Sequence, residues 1–394
     1  MSPALPHRRP FGQGEIRSLT GLRGCAATLV MLYHFSLSMP AGTLPMQAFL
    51  SNGYLCVDLF FVLSGFVLAY SQRTMFAGGY RLRHHATFLL ARIARIYPLY
   101  ALITLESALL LAWRTPNLDV YAFARTLLLN LALVQAWGLA PSLEGAAWSI
   151  STEWGAYFAF PLLLVVTVSS SRRVAAATAM VAMLAIVGIA TLPGQHMFPG
   201  QSRTGPLDVY SSATALPLLR CIAEFVLGLV TFRVARDLAA RTQAWAGPLA
   251  LTTVALIGAG LARPGSDLCV VALFGVLLVA LAPQVGLVAR MLGAAAPYRL
   301  GQWSYSIYLI HDKFSHPAGA LRDWLAGRVP MASTIAVVLM SGLVLVCGAV
   351  TFFVVELPLR RLVLQGVRRL PVLGAKPVEA VVPEASGGSA NALG

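Results

Sequence analysis

The sequence predicts an all-α protein: a polytopic membrane helical bundle of about ten transmembrane helices with both termini in the cytoplasm. Composition, span length and the placement of arginine carry that expectation. Of 394 residues, 58% are hydrophobic and only 11% charged, against about 25% charged in an ordinary soluble domain. No single water-soluble core of this length hides so much apolar surface, so a soluble enzyme and a disordered or fibrous chain are excluded. The mean hydropathy of +0.74 says the same. Apolar stretches of about 20 residues, the length that crosses a bilayer, recur along the chain. Arginines gather in alternate connections, as cytoplasmic loops require.

The stretches run over 19–38, 54–72, 88–112, 147–168, 174–192, 214–232, 245–262, 267–286, 301–317 and 332–355. The first is interrupted by Arg23 and ends in no small-residue cleavage site, so it reads as a retained anchor rather than a signal peptide. His7, Arg8, Arg9 and Arg17 place the N-terminus inside, and Arg81, Arg83, Arg92 and Arg95 the connection before the third stretch. Arg172 and Arg173, then Arg233, Arg236 and Arg241, mark two more inner connections. Arg360, Arg361, Arg368, Arg369 and Lys376 place the C-terminus inside, so the span count is even. A further stretch at 121–138 contains Arg125, Asn130 and Gln135, and counting it breaks this pattern. Residues 113–146 are therefore expected as an outer-face excursion, re-entrant if protein or a watery cavity covers its backbone. The domain expectation is a cytoplasmic arm at 1–15, a membrane domain at 16–362 and a cytoplasmic tail at 363–394. The Pro-, Ala- and Gly-rich end of that tail predicts disorder.

A net charge of +14 would point to nucleic acid in a soluble chain. Here the membrane accounts for it, and no nucleic-acid partner is expected. Only Lys313 and Lys376 are lysines. The arginine bias suits an anionic ligand, because the guanidinium fork grips phosphate or carboxylate, and it suits a GC-rich genome equally. Cys25, Cys56, Cys221, Cys269 and Cys347 stand singly, without metal-ligand spacing, so neither redox chemistry nor a metal is expected. No GxSxG elbow, P-loop, HExxH or dinucleotide fingerprint occurs.

Ionisable groups inside spans are expensive and become functional candidates. Arg23 and His34 are eleven residues apart, so they share a helical face about 16 Å apart along the axis. That suits a ligand with an anionic head and a reactive far end. A snorkelling topogenic arginine with one core histidine fits as well. Arg92 and Arg95 lie one turn apart before Pro98, which is expected to disrupt the third helix. They can grip a phosphate or serve as ordinary inner-loop charge. In WSISTEW, Glu153 lies one turn from Ser149, placed to orient an imidazole or hold a sugar hydroxyl, or simply to stay hydrated at the interface. Asp58 is a candidate partner for a buried cation and a candidate substrate contact. Tyr308 and His311 share a face in WSYSIYLIH, and Arg220 with Glu224 in LLRCIAEF reads as a neutralising pair.

Taken in order, these segments resemble acyltransferase family 3, the integral-membrane O-acyltransferases of bacterial glycans and some small molecules. IRSLTGLRGCAATLVMLYHF resembles the family's opening, with its Arg-x10-His motif at Arg23 and His34. GYLCVDLFFVLSGFVLAY, ARIARIYPLY, WSISTEWGAYFAFP, PLLRCIAEFVLGL, SYSIYLIH and VVELPLRR are similar to later blocks. Asp58 stands where a small or apolar residue is more usual, and Trp154 where many members carry a second acid.

The resemblance implies a multi-pass protein of the bacterial cytoplasmic membrane. Its partners would be an acyl-CoA donor, with acetyl the default group, and a glycan or lipid-linked saccharide acceptor. No cofactor would be bound permanently. Arg92 and Arg95 would hold the CoA phosphates, Arg23 the inner part of the donor, and His34 would meet the thioester as general base or as an acyl carrier. Glu153 would orient His34 or the acceptor, while Asp58, Tyr308 and His311 would serve the substrate side. The competing class is a proton-coupled transporter of an anionic solute.

Overall fold

The computed structural model describes residues 14–192, 204–210 and 214–368. The expected arm at 1–15 lies almost wholly outside them, as does the tail beyond 368. Among the described residues the chain is helical, with no strand. The main helices are α1 Arg17–Leu37, α2 Gln47–Ser51, α3 Cys56–Gln72, α4 Leu82–Arg114, α5 Val120–Leu131, α6 Trp148–Leu164, α7 Arg172–Thr191 and α8 Leu216–Thr242. They continue with α9 Ala246–Leu261, α10 Asp267–Leu281, α11 Gly286–Gly293, α12 Ala295–Ile310, α13 Ser315–Leu325, α14 Ala332–Thr351 and α15 Leu357–Arg368.

Each apolar stretch read from the sequence overlaps one or more of these helices, but their lengths differ. Among the described residues, five runs are long and apolar enough to cross a membrane: Gly53–Gln72, Leu82–Arg114, Gly145–Ser169, Arg172–Thr191 and Ala332–Gly366. The pair α10 and α11, bent by 87°, adds a sixth if it counts as one broken span. The stretch at 301–317 is not one helix: α12 ends at Ile310, a 3-10 turn covers His311–Phe314, and α13 follows. The last helix, α15, runs on to Arg368.

Two close helix crossings organise the bundle. Gly65 of α3 meets Gly228 of α8, where a Cβ on either would overlap the carbonyl oxygen of Phe225 or Val62. Gly24 of α1 and Gly301 of α12 meet in the same manner, against Leu300 and Thr20. Small residues of this kind let helix backbones approach without a water-driven hydrophobic force. Aromatic side chains, among them Phe66, Phe88, Phe160, Phe225 and Phe232, fill the centre between α3, α4, α6 and α8.

Pro98 does not end the third helix; α4 continues through it to Arg114. Proline removes one backbone donor and crowds the preceding turn. The carbonyl left without its helical donor is that of Ala94; in the same turn the Tyr305 hydroxyl of α12 donates to the Ile96 carbonyl at 2.6 Å, tying α4 to α12 where proline loosens it.

Residues 113–146 hold one amphipathic helix, α5, capped by the Asp119 carboxylate on the Tyr121 and Ala122 N–H groups. The irregular segment after it is covered by protein. Ser151 of α6 donates to the Leu133 carbonyl at 2.9 Å and accepts from the Ala136 N–H at 3.2 Å. Asn130, fully buried, donates to the Thr126 and Pro141 carbonyls, both at 2.9 Å, and accepts from the Leu143 N–H at 3.0 Å. Irregular backbone away from water must be satisfied in this way.

Candidate active site

His34 lies in the last turn of α1, half-buried. Its Nδ1 is 3.0 Å from the Val30 carbonyl oxygen and 3.1 Å from His311 Nε2. His311 is fully buried, and its own Nδ1 sits 2.6 Å from the Tyr308 carbonyl oxygen. The two rings are 4.8 Å apart and tilted by 59°. The α1–α12 crossing makes this possible, because glycine-to-glycine contact brings the two histidine-bearing ends together. His311 was expected as a cavity-lining substrate residue; its ring nitrogens face the Tyr308 carbonyl and His34.

Tyr308 joins α12 to α6. Its hydroxyl pairs with Ser149 Oγ at 2.8 Å, and its ring packs on Phe60 and His311 at 5.6 Å each. Glu153, one turn further along α6, accepts from Ser64 Oγ at 2.5 Å and from the Tyr157 hydroxyl at 2.6 Å. Its recorded partners are therefore on α3 and α6, while the partners of the His34 ring are Val30 and His311. Ser64 and Tyr157 escaped the sequence reading.

The arginines converge at the other end of α1. Arg23 donates from Nη2 to the Gly301 carbonyl at 2.7 Å, and its Nε is buried without a partner. Arg23, Arg92 and Arg360 are each close enough to Arg95 for their charges to act on one another. Arg92 is only 7% exposed and its Nε is unpaired. Among the described residues, Arg92, Arg95 and Arg360 have no hydrogen-bond or ion-pair partner. Two carboxylates border the group, Glu153 and Glu356, the second accepting from Ser306 Oγ at 2.5 Å. Like charges held together out of water are costly, and an anion between them removes the cost. Arg360 was read as loop charge. Its spacing of one turn from Glu356, in VVELPLRR, was the available signal.

Asp58 is the one expected substrate residue that the fold takes out of reach. It is fully buried, and both its oxygens engage Arg220, Oδ1 from Nε at 3.0 Å and Oδ2 from Nη2 at 2.5 Å. Arg220 also reaches Glu224 at 3.3 Å and the Val209 carbonyl at 3.2 Å. The expected Arg220–Glu224 pair is thus a triad, and Asp58 fulfils its other expected role as partner of a buried cation. Both oxygens of Asp58 lie on that fork, and neither side chain is more than 1% exposed. The triad ties α3 to α8.

The arrangement places a free imidazole nitrogen at one end of α1 and an anion-seeking cluster at the other. Such a pair can hold a phosphorylated donor and remove a proton at its far end.

A family model described as an acyltransferase domain matches residues 16–355. Acyltransferase MdmB of Streptomyces mycarofaciens is 30% identical, over 92% of this chain and 95% of its own. BcsY of Komagataeibacter xylinus, named as a membrane-bound transacylase, is 27% identical over 84% of this chain and 81% of its own. A shorter relative from Rhizobium radiobacter, named for the picA locus, is 34% identical over 35% of this chain. No solved structure matches the chain.

Proposed function

The chain belongs to acyltransferase family 3, and on that premise we propose that it moves an acyl group, acetyl in the simplest case, from cytoplasmic acyl-CoA to a hydroxyl of a cell-envelope or secreted glycan. It is a multi-pass membrane acyltransferase, and family membership sets the transporter expectation aside. About ten crossings with both termini inside, in the cytoplasmic membrane of a bacterium, complete the reading. This orientation puts the arginine cluster on the side where acyl-CoA is found.

One observation carries the donor assignment: Arg23, Arg92 and Arg360 gather about Arg95, and among the described residues Arg92, Arg95 and Arg360 have no hydrogen-bond or ion-pair partner; Arg23 shares a helical face with His34, about 16 Å away along the axis. The donor's phosphates fill the cluster as charge-assisted, two-pronged contacts. Its pantetheine arm follows α1 and brings the thioester to His34. The free ring nitrogen of His34 takes the proton of the acceptor hydroxyl as that oxygen bonds to the thioester carbonyl carbon. The C–S bond then breaks, the proton passes from His34 to the thiolate, and CoA leaves as the free thiol. Such a base contributes about 10²–10⁴ in rate. Acyl-CoA is consumed in each turnover and is a co-substrate, not a resident cofactor. Tyr308 and Ser149 border the acceptor end, and Glu153 stands between the two ends, tuning the arginines rather than the imidazole.

The test is transfer itself. Protein in lipid nanodiscs, given labelled acetyl-CoA and an envelope glycan fraction, should deposit alkali-labile label on the glycan. The Arg92→Ala/Arg95→Ala variant should deposit almost none. Label that stays in acetyl-CoA with folded wild-type protein, whichever acceptor fraction is supplied, would refute the assignment. Donor-only incubation should leave no acyl group on His34; a trapped acyl-imidazole would replace the base route with a covalent relay.

A further inference from the structure

His34 and His311 lie 277 positions apart and meet at a single hydrogen-bond distance. Two carbonyl oxygens decide how that bond is polarised, because a carbonyl accepts and never donates. His311 Nδ1 faces the Tyr308 carbonyl at 2.6 Å, so it carries a proton. In the neutral ring His311 Nε2 is then an acceptor. His34 Nδ1 faces two acceptors, Val30 O at 3.0 Å and His311 Nε2 at 3.1 Å, so it too carries a proton. The lone pair of His34 is left on Nε2.

We propose that His311 is the positioning residue for His34: it fixes the proton on His34 Nδ1 and thereby presents Nε2 as the base. The inference rests on the reading of His34 as the group that deprotonates the acceptor. When Nε2 takes the acceptor's proton, the imidazolium keeps its Nδ1–H directed at the His311 lone pair, and no ring turns during the reaction. This is the work of an orienting carboxylate in a hydrolase triad, done here by a neutral ring.

The fold holds His311 firmly enough for that task. It opens the 3-10 turn His311–Phe314. Two residues on, Lys313 ties that turn to Glu144 and Ser107, both at 2.9 Å, and to Glu106. Ser107 in turn donates to Glu144 at 2.8 Å, and the Asp312 carboxylate rests against Gly145. The turn is thus clamped between α4 and the covered segment before α6, and the Tyr308 carbonyl holds the His311 ring from its own Nδ1.

Three variants and one spectrum test this. His311→Leu should lower kcat about 10²-fold and leave the KM for acyl-CoA unchanged. His311→Gln, whose Oε1 can accept where Nε2 did, should recover at least a tenth of wild-type kcat. Histidine ¹⁵N shifts should put the His34 proton on Nδ1 in the wild type and in the Gln variant. Full turnover by His311→Leu, equal losses in the Leu and Gln variants, or a wild-type His34 protonated on Nε2 would each overturn the proposal. Should the Leu variant fail to fold, the Gln variant and the wild-type spectrum still decide. Full turnover by His34→Ala would instead defeat the base assignment, while the spectrum would still report on the histidine pair.

Discussion

Replacing Arg92 by methionine should separate stability from binding in opposite directions. Arg92 is 7% exposed, and its Nε has no partner. A buried donor left unsatisfied costs about 1–3 kcal/mol. Methionine fills a similar volume and carries no such donor, so the empty variant should be as stable as the wild type or more so, by up to that amount. A charge-assisted contact to phosphate contributes about 1.5–3 kcal/mol, so its loss weakens donor binding about 10- to 100-fold. With acetyl-CoA at about 100 times the wild-type Kd, the wild type gains about 2.7 kcal/mol of stability. A variant bound a hundredfold more weakly gains only about 0.4 kcal/mol at the same concentration. Thermal unfolding in detergent, with and without acetyl-CoA, reads both effects. An empty variant that melts well below the wild type yet keeps its full ligand shift would refute the view that Arg92 awaits an anion.

The remaining predictions concern packing and support. Asp58→Leu takes from Arg220 the carboxylate that engages both Nε and Nη2 and leaves only Glu224 at 3.3 Å; breaking a buried pair costs up to about 3–5 kcal/mol, so the yield of folded protein should fall. Gly228→Ala drives a Cβ against Val62 and Phe66 and should cost about 1–3 kcal/mol, seen as a lower melting temperature. Gly258→Ala, with nothing within 4 Å of the added carbon, should be neutral or stabilising and serves as the control. Ser151→Ala strands the Ala136 N–H and Leu133 carbonyl, a loss of about 1–3 kcal/mol; limited proteolysis should then cut within residues 132–147, where the wild type resists.

Much of the architecture was legible because apolar run length is a one-dimensional signal. Each stretch overlaps one or more helices, and the covered segment after α5 has the satisfied backbone that its polar residues foretold. Charge pattern gave the candidate arginines and His34 for the same reason, since an ionisable group in an apolar run stands out locally. What escaped depends on contacts between distant parts of the chain. The Asp58–Arg220 bond joins positions 162 apart, and nothing in either segment says that the aspartate is consumed. The His34–His311 contact joins positions 277 apart, and neither segment alone announces it. Arg360 looked like loop charge until α15 folded back along α4. Pro98 misled because local geometry forecasts a break, and the Tyr305 hydroxyl arriving from α12 was not visible in the sequence.

The central claim is that His34 removes the acceptor's proton during transfer from acyl-CoA. The direct measurement is the rate of CoA thiol release from acetyl-CoA by wild-type and His34→Gln protein in nanodiscs, with the acceptor fraction present and donor binding verified for both. The account predicts unchanged donor binding and a fall in release of about 10²-fold or more in the variant. Equal release rates from the two proteins, with donor bound to both, would contradict it.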